Sequence, residues 1–227
     1  MAKIREFGFE EWVSNAEKLL KTLPKRVKGE VESEVKIARP ISAKKLNALE
    51  SQLGRTIPKT LRAFLERGSS GFEFSYKWTP VDEQAAVVKS VFHGNTMWGR
   101  GEFCKVTAFS EWLADCKSWA ANTWVAEYPQ DLAFWTQSFP ILRMDCADFL
   151  ALDQHSPADD PAVVYLSHDD ESKRIAPSFT VFLREWERLH YVGPESWMIE
   201  SFLDKDGFLS SGTEQAKILR RAYGDKV

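Results

Sequence analysis

Eight acidic residues and no lysine or arginine fall between Asp145 and Glu171: Asp145, Asp148, Asp153, Asp159, Asp160, Asp169, Asp170 and Glu171. Carboxylates at this density can hold a cation, or present an anionic field that steers and holds a basic partner. Calcium fails on spacing, because Asp145, Asp148 and Asp153 do not match an EF-hand loop. The remaining choice is between turn-forming, solvated aspartates and a partner-binding rim. Both readings stay open from sequence alone. If these residues occupy the turns between consecutive strands, they gather at one rim of a sheet.

Catalytic constellations find little support. The chain has no G-x-S-x-G, no H-E-x-x-H and no dinucleotide fingerprint. The histidines, His93, His155, His168 and His190, are scattered. Only His168 adjoins carboxylates, Asp169 and Asp170, and adjacency at a strand end does not set imidazole against carboxylate. A rim histidine accounts for it. Gly94 and Gly99 have the separation of a phosphate-binding loop, but Arg100 and Gly101 stand where lysine and a hydroxyl residue are needed. Without the cation for phosphate and the hydroxyl for magnesium, these glycines are expected to mark turns.

Composition bounds the rest. A chain of 227 residues with 44% hydrophobic content can bury one sizeable core. A formal net charge of −3 and a pI near 5.9 argue against a dedicated nucleic-acid binder. Cys104, Cys116 and Cys146 are odd in number and contain no C-x-x-C, so reduced thiols are expected rather than disulfides or a zinc site. No metal ligands and no cofactor are expected. Met1 to Phe9 lacks a signal-peptide core and no later segment is long and apolar enough to span a bilayer, so a cytosolic location is expected.

The positioning elements follow from periodicity. Trp12, Val13, Ala16, Leu19, Leu20 and Leu23 predict an amphipathic helix ending near Pro24. Lys25 to Pro40 reads as a connector with room for a short strand. Ser42, Leu46, Leu49, Leu53 and Gly54 outline a second helix, and Pro58, Leu61, Phe64, Leu65 and Gly68 a third. Phe72, Phe74, Tyr76 and Trp78 then alternate with polar residues as a half-buried strand does. Ala85–Phe92 and Glu102–Ala108 are expected to be strands separated by turns at 93–95 and 99–101. A helix from Ser110 is expected to end by Pro129, with a short piece at Asp131–Trp135. Strands are expected at Ser138–Met144, Ala147–Leu152 and Pro161–His168, and helices after Ser178, Pro194 and Thr213.

In this order the pattern resembles the SUKH superfamily, the Smi-one/Knr-four-like domain. The leading signature reads Leu53-Gly54, Ile57-Pro58, Leu61, Phe64-Leu65 and Gly71-Phe72. The trailing one reads Asp148 to Asp153, Val163-Val164-Tyr165, His168-Asp169-Asp170, and Ser178-Phe179 with Phe182-Leu183. Two features depart from the pattern. Arg143 to Ala147 replaces a glycine-rich turn, and the helical insert from Ser110 to Gln137 is large. The resemblance covers roughly residues 41–190, with 1–40 an N-terminal helix and connector and 191–227 a helical extension on the same domain. It implies an α+β domain, an antiparallel sheet flanked by helices, without catalytic activity. Bacterial members are typically immunity proteins that bind a cognate toxin, and a fungal member is a cell-wall regulator acting through bound partners. The expected partner is a basic toxin domain of the nuclease kind, not nucleic acid or membrane.

Overall fold

The computed structural model describes residues 7–92, 96–122, 125, 127–155 and 158–225. The turn expected at His93-Gly94-Asn95 lies outside them. Strands β1 (Gly29–Ile37), β2 (Phe72–Pro80), β3 (Met97–Phe103), β4 (Phe139–Arg143), β5 (Phe149–Leu152), β6 (Val163–Leu166) and β7 (Lys173–Ala176) form one sheet in chain order. Each strand pairs antiparallel with the next. The helices are α1 (Phe9–Arg26), α2 (Ala43–Leu53), α3 (Lys59–Arg67), α4 (Asp82–Val91), α5 (Phe109–Ala120), α6 (Pro129–Gln137), α7 (Phe179–Arg188), α8 (Ser196–Ile199) and α9 (Glu214–Ala222). The fold is the α+β arrangement that the sequence pattern implies.

The element ends follow local chemistry. Ser178 Oγ accepts from the Val181 N–H and Thr213 Oγ1 from the Ala216 N–H, so these two caps form, whereas Ser42 sits at the N-cap of α2 without a side-chain bond and Ser110 lies inside α5. Gly54 closes α2 in the left-handed conformation with φ 61°. On β2 the aromatic residues face inward, Phe72 onto Trp12 of α1, Phe74 onto Trp186 of α7 and Trp78 onto Tyr223. Trp12 touches Phe64, Phe72, Phe103, Trp186 and Tyr191 with ring centroids 5.4–6.4 Å apart, and its indole N–H donates to the Leu183 carbonyl at 2.9 Å. The connector expected over Lys25–Pro40 is largely strand, since β1 runs in register with β2 from Gly29 opposite Pro80 to Ile37 opposite Phe72.

Several expectations need correcting. The strand expected over Glu102–Ala108 stops at Phe103, and Val106–Ala108 is a turn of 3-10 helix. Ala85–Phe92 is not a strand but most of α4, with Asp82 and Glu83 in its first turn and Val88 and Val91 buried one turn apart. Its β-branched valines imitate a strand, yet their burial has the helical spacing. Gly99 and Gly101 are not a turn either, because both lie inside β3. A Cβ at Gly99 would sit 2.3 Å from the Tyr191 carbonyl oxygen and 2.5 Å from Tyr76 Cε1. The Gly193 segment crosses there, and Arg100 N donates to the Gly193 carbonyl at 3.0 Å. Close backbone approach explains this glycine. Pro129 opens α6 rather than closing the preceding helix, and Lys173–Ala176 adds a seventh strand that no sequence pattern marks.

Gly99→Ala is therefore expected to destabilise the fold by about 3 kcal/mol, whereas Gly212→Ala should stay within about 0.5 kcal/mol. Ala147 occupies the left-handed region at φ 70°, in the turn where the family pattern carries glycines. Ala147→Gly is expected to be neutral or to stabilise by up to about 1 kcal/mol. Urea denaturation midpoints at constant slope measure all three changes.

Candidate protein-binding surface

The strand order decides where the acidic residues go. In an antiparallel meander alternate turns lie at the same end, so the β4–β5 and β6–β7 turns share one end and the β5–β6 connection lies at the other. Asp145, Asp148, Asp169, Asp170 and Glu171 occupy the first end, and Asp153, Asp159 and Asp160 the second. The single rim expected from sequence is thus two.

Burial divides the set again. Asp148 is 4% exposed: its Oδ1 accepts from the His168 backbone N–H at 2.8 Å and from His168 Nδ1 at 2.7 Å, and its Oδ2 accepts from Tyr165 OH at 2.6 Å. Asp153, 5% exposed, takes both guanidinium contacts of Arg174 at 2.7 and 2.9 Å and caps His155 N at 2.8 Å. Asp160 accepts from Thr180 N at 3.2 Å and from its hydroxyl, in the first turn of α7. These three carboxylates hold turns and helix ends together. Exposed Asp159 pairs with Lys59 at 2.6 Å. Asp145, Asp169, Asp170 and Glu171 remain as an exposed acidic end, with Asp145 against Arg100 at 2.5 Å.

His168 also departs from expectation, since its ring does meet a carboxylate. Cys146 lies beside the same group, and burial pushes its thiol up to about 12, so it stays protonated. Burial, reinforced by the Asp148 hydrogen bond, raises the Tyr165 phenol well above its ordinary range. Tyr165 OH in turn accepts from Ser196 N at 3.0 Å, which ties the start of α8 to this network. Sequence spacing could not find this cluster, because hydrogen bonds across two turns build it.

The larger surface feature is one that sequence reasoning missed. On the sheet face opposite the aromatic core, β1 presents Glu32, Glu34 and Lys36, β2 presents Glu73, Ser75 and Lys77, and β3 presents Trp98, Arg100 and Glu102. They align in cross-strand rows: Glu32–Lys77–Trp98, Glu34–Ser75–Arg100 and Lys36–Glu73–Glu102. Arg143 continues the last row, followed on β5 by Phe149. There the face closes over, because Phe149 packs under Trp112 of α5 and Trp135 of α6. Helices α5 and α6 thus cover the β4–β6 half and leave the β1–β3 half bare. The burial patterns agree, with β5 and β6 wholly buried and β2 alternating.

The bare half is the floor of an open groove of about 1090 Å³. Its lining carries six carboxylates (Glu32, Glu34, Glu73, Glu102, Asp145, Glu195) against four cations (Lys36, Lys77, Arg100, Arg143). Arg143 reaches back to Glu111 and Asp115 of α5 at 2.8 and 3.2 Å, and Lys105 bridges Glu73 and Glu102 at 2.8 and 2.6 Å. Beyond Pro194 and Glu195, Trp197 stands 50% exposed, edge-on to Trp98 at 5.9 Å. An exposed tryptophan supported by a second one is the kind of anchor that dominates protein interfaces.

A sequence model of the SMI1/KNR4 family (SUKH-1) matches residues 40–185. The chain belongs to the SMI1/KNR4 family. No curated protein matches it. SUKH domains are generally non-catalytic binding domains. The matched span runs from the residue pair before Ser42 into α7, and so supplies β2–β7 and both covering helices of the insert. Glu32, Glu34 and Lys36 on one side of the groove, and Pro194, Glu195 and Trp197 on another, lie outside it. Among the described residues no helix is long and apolar enough to cross a membrane.

Neighbouring aspartates of one turn should therefore respond differently to neutralisation. Asp148→Asn, which leaves a donor facing donors in a buried site, is expected to cost about 3 kcal/mol. Asp145→Asn, at an exposed pair, is expected to cost less than about 1 kcal/mol. Equilibrium unfolding of the two variants in one buffer checks the contrast.

Proposed function

We propose that this chain is a non-catalytic, stoichiometric binder of the immunity type, which neutralises a cognate bacterial toxin domain in the cytosol. The observation that carries the reading is the uncovered half-sheet, a rigid concave floor with an exposed tryptophan at its rim. With Lys105 bridging Glu73 and Glu102, six carboxylates face five cations in the groove, and Asp169, Asp170 and Glu171 supply the main acidic excess along the adjoining end. A basic partner, such as a nuclease-type toxin, fits this field. Occlusion is the mechanism: the groove seats a protruding segment of the toxin and covers its active site or substrate groove. Trp98 and Trp197 carry affinity and the acidic end carries association rate. Of the acidic residues singled out in sequence, Asp145, Asp169, Asp170 and Glu171 meet the partner, while Asp148, Asp153 and Asp160 shape the turns.

The family match supports a binding role, and the position of the groove walls supports partner specificity. Segments outside the matched span can vary without disturbing the frame that the match describes.

Co-expression with the toxin domain encoded beside this chain tests the proposal, with growth protection and a complex on size exclusion expected. A complex without protection would instead favour a regulatory scaffold. Trp197→Ala is expected to weaken the complex by about 2 kcal/mol, roughly 30-fold, mostly through faster dissociation. Joint replacement of Asp145, Asp169, Asp170 and Glu171 by lysine should slow association and flatten its salt dependence. Asp159→Lys, at the far end, should leave both unchanged. If neither groove nor acidic-end variants alter the kinetics, the partner binds another surface.

A further inference from the structure

Cys146, Asp148 and His168 come together from two separate turns, with one potential ligand atom of each lying within 4.8 Å of the others. The residue types are those of a borderline-soft divalent site: one sulfur, one carboxylate oxygen and one imidazole nitrogen. We propose that these three side chains form a zinc-binding site that joins the β4–β5 turn to the β6–β7 turn.

Four features of the surroundings argue for a built site over a chance cluster. Tyr165 holds Asp148 Oδ2 at 2.6 Å and is itself held by Ser196 N at 3.0 Å, so the carboxylate is locked with Oδ1 turned toward the cluster. His168 Nδ1 lies 2.7 Å from that oxygen, so two of the three donor atoms are already neighbours and a shared metal would open this pair to about 3.3 Å. Behind it, exposed Asp169 Oδ2 lies 3.8 Å from His168 Nε2, beyond hydrogen-bond length, and a closure of under about 1 Å would let it accept the proton of a metal-bound imidazole. That carboxylate–histidine–metal relay fixes tautomer and ring orientation in many zinc sites. The fourth feature is a wall, because the Trp119 ring packs 5.6 Å from the imidazole.

The geometry needs little rearrangement. Bonds of about 2.0–2.3 Å set tetrahedral ligand–ligand edges near 3.5 Å, so the widest pair must close by about 1 Å. Asp148 stays where Tyr165 holds it, so the closure falls to the half-buried side chains of Cys146 and His168. The protons balance. Zinc takes the place of the Cys146 thiol proton, which leaves to solvent, and the imidazole proton passes from Nδ1 to Nε2. Each metal therefore releases one proton, no group is oxidised or reduced, and the fourth position is left to water. Calcium and magnesium, which favour all-oxygen shells, are expected to be excluded.

The test uses the full chain, reduced and freed of metal, with Zn²⁺ and Co²⁺ as probes. Co²⁺ is expected to give a near-ultraviolet thiolate-to-cobalt band and intense visible bands of a tetrahedral site, both lost in Cys146→Ser. Zinc affinity, measured against a chromogenic chelator, is expected to fall by more than about 100-fold in Cys146→Ser and His168→Gln, since losing even a hydrogen-bond partner of a ligand costs about 10–100-fold. His155→Gln should bind as the parent does. Zinc should raise the melting temperature of the parent and not of Cys146→Ser, and circular dichroism shows that each variant is folded. If a variant fails to fold, the cobalt spectrum of the parent decides. No thiolate band in the parent, or zinc affinity unchanged in folded Cys146→Ser, would overturn the proposal and leave Asp148 and His168 as a structural hydrogen-bonded pair. Failure here leaves the toxin-binding reading intact, because none of these three residues contributes to the groove.

Discussion

The hydrogen bond from the Trp12 indole to the Leu183 carbonyl, 2.9 Å long and buried, joins the first helix to the last one of the matched domain across 171 residues. Around it the aromatic rings of β2, β3, α3 and α7 interlock, several of them edge to face. Edge-to-face pairs add about 0.5–1.5 kcal/mol each beyond the area they bury, and they fix orientation as area alone does not. The consequence reaches beyond stability. Helices α1, α3 and α7 are committed to one face of the sheet, so whatever covers the other face must come from elsewhere in the chain.

What comes is the insert. Helices α5 and α6 bring Trp112 and Trp135 over Phe149 and stop there, and Arg143 marks the border between covered and bare sheet by reaching α5. Beyond that border nothing apolar has to be hidden. Most outward residues of β1, β2 and β3 are charged, and each of the three cross-strand rows holds both an acid and a base. The same insert that departs in size from the family pattern therefore covers the β4–β6 half and ends at Arg143, where the groove begins with Arg143, Met144 and Asp145 in its lining. The other walls come from β1 and the segment after Pro194, outside the matched span, which sets a shared frame beside variable edges.

Much of the frame was legible. Period-two alternation at Phe72–Trp78, the caps at Ser178 and Thr213, and the apolar stripes of α1 and α7 are local signals that burial later satisfied. Misreadings arose where local chemistry serves a distant contact. Gly99 looks like a turn because the Tyr191 carbonyl that requires it lies far along the chain. Val87, Val88 and Val91 look like a strand until Asp82 and Glu83 are seen to start a helix. The acidic run was visible as composition, but strand order alone divides it between two ends. Only folding shows that Asp148 is buried while Asp145, three residues earlier, meets solvent. A cluster such as Cys146 with His168 has no sequence signal, because its spacing is set by the distance between neighbouring hairpin turns.

The contrast between those two aspartates also explains why the groove can be both charged and rigid. Buried carboxylates such as Asp148 and Asp153 are costly to disturb, so the turns they hold are fixed before any partner arrives. The ion pairs on the groove floor are different in kind. Arg100 with Asp145, and Lys105 with Glu73 and Glu102, are at least partly exposed and each contributes well under about 1 kcal/mol. A partner can exchange them for its own charges at little cost, while the backbone beneath does not move. Under the binding role proposed above, electrostatics sets how fast and how selectively a partner approaches, and Trp98 and Trp197 set how long it stays. The separation arises from burial alone, one residue type doing opposite work on the two sides of a turn.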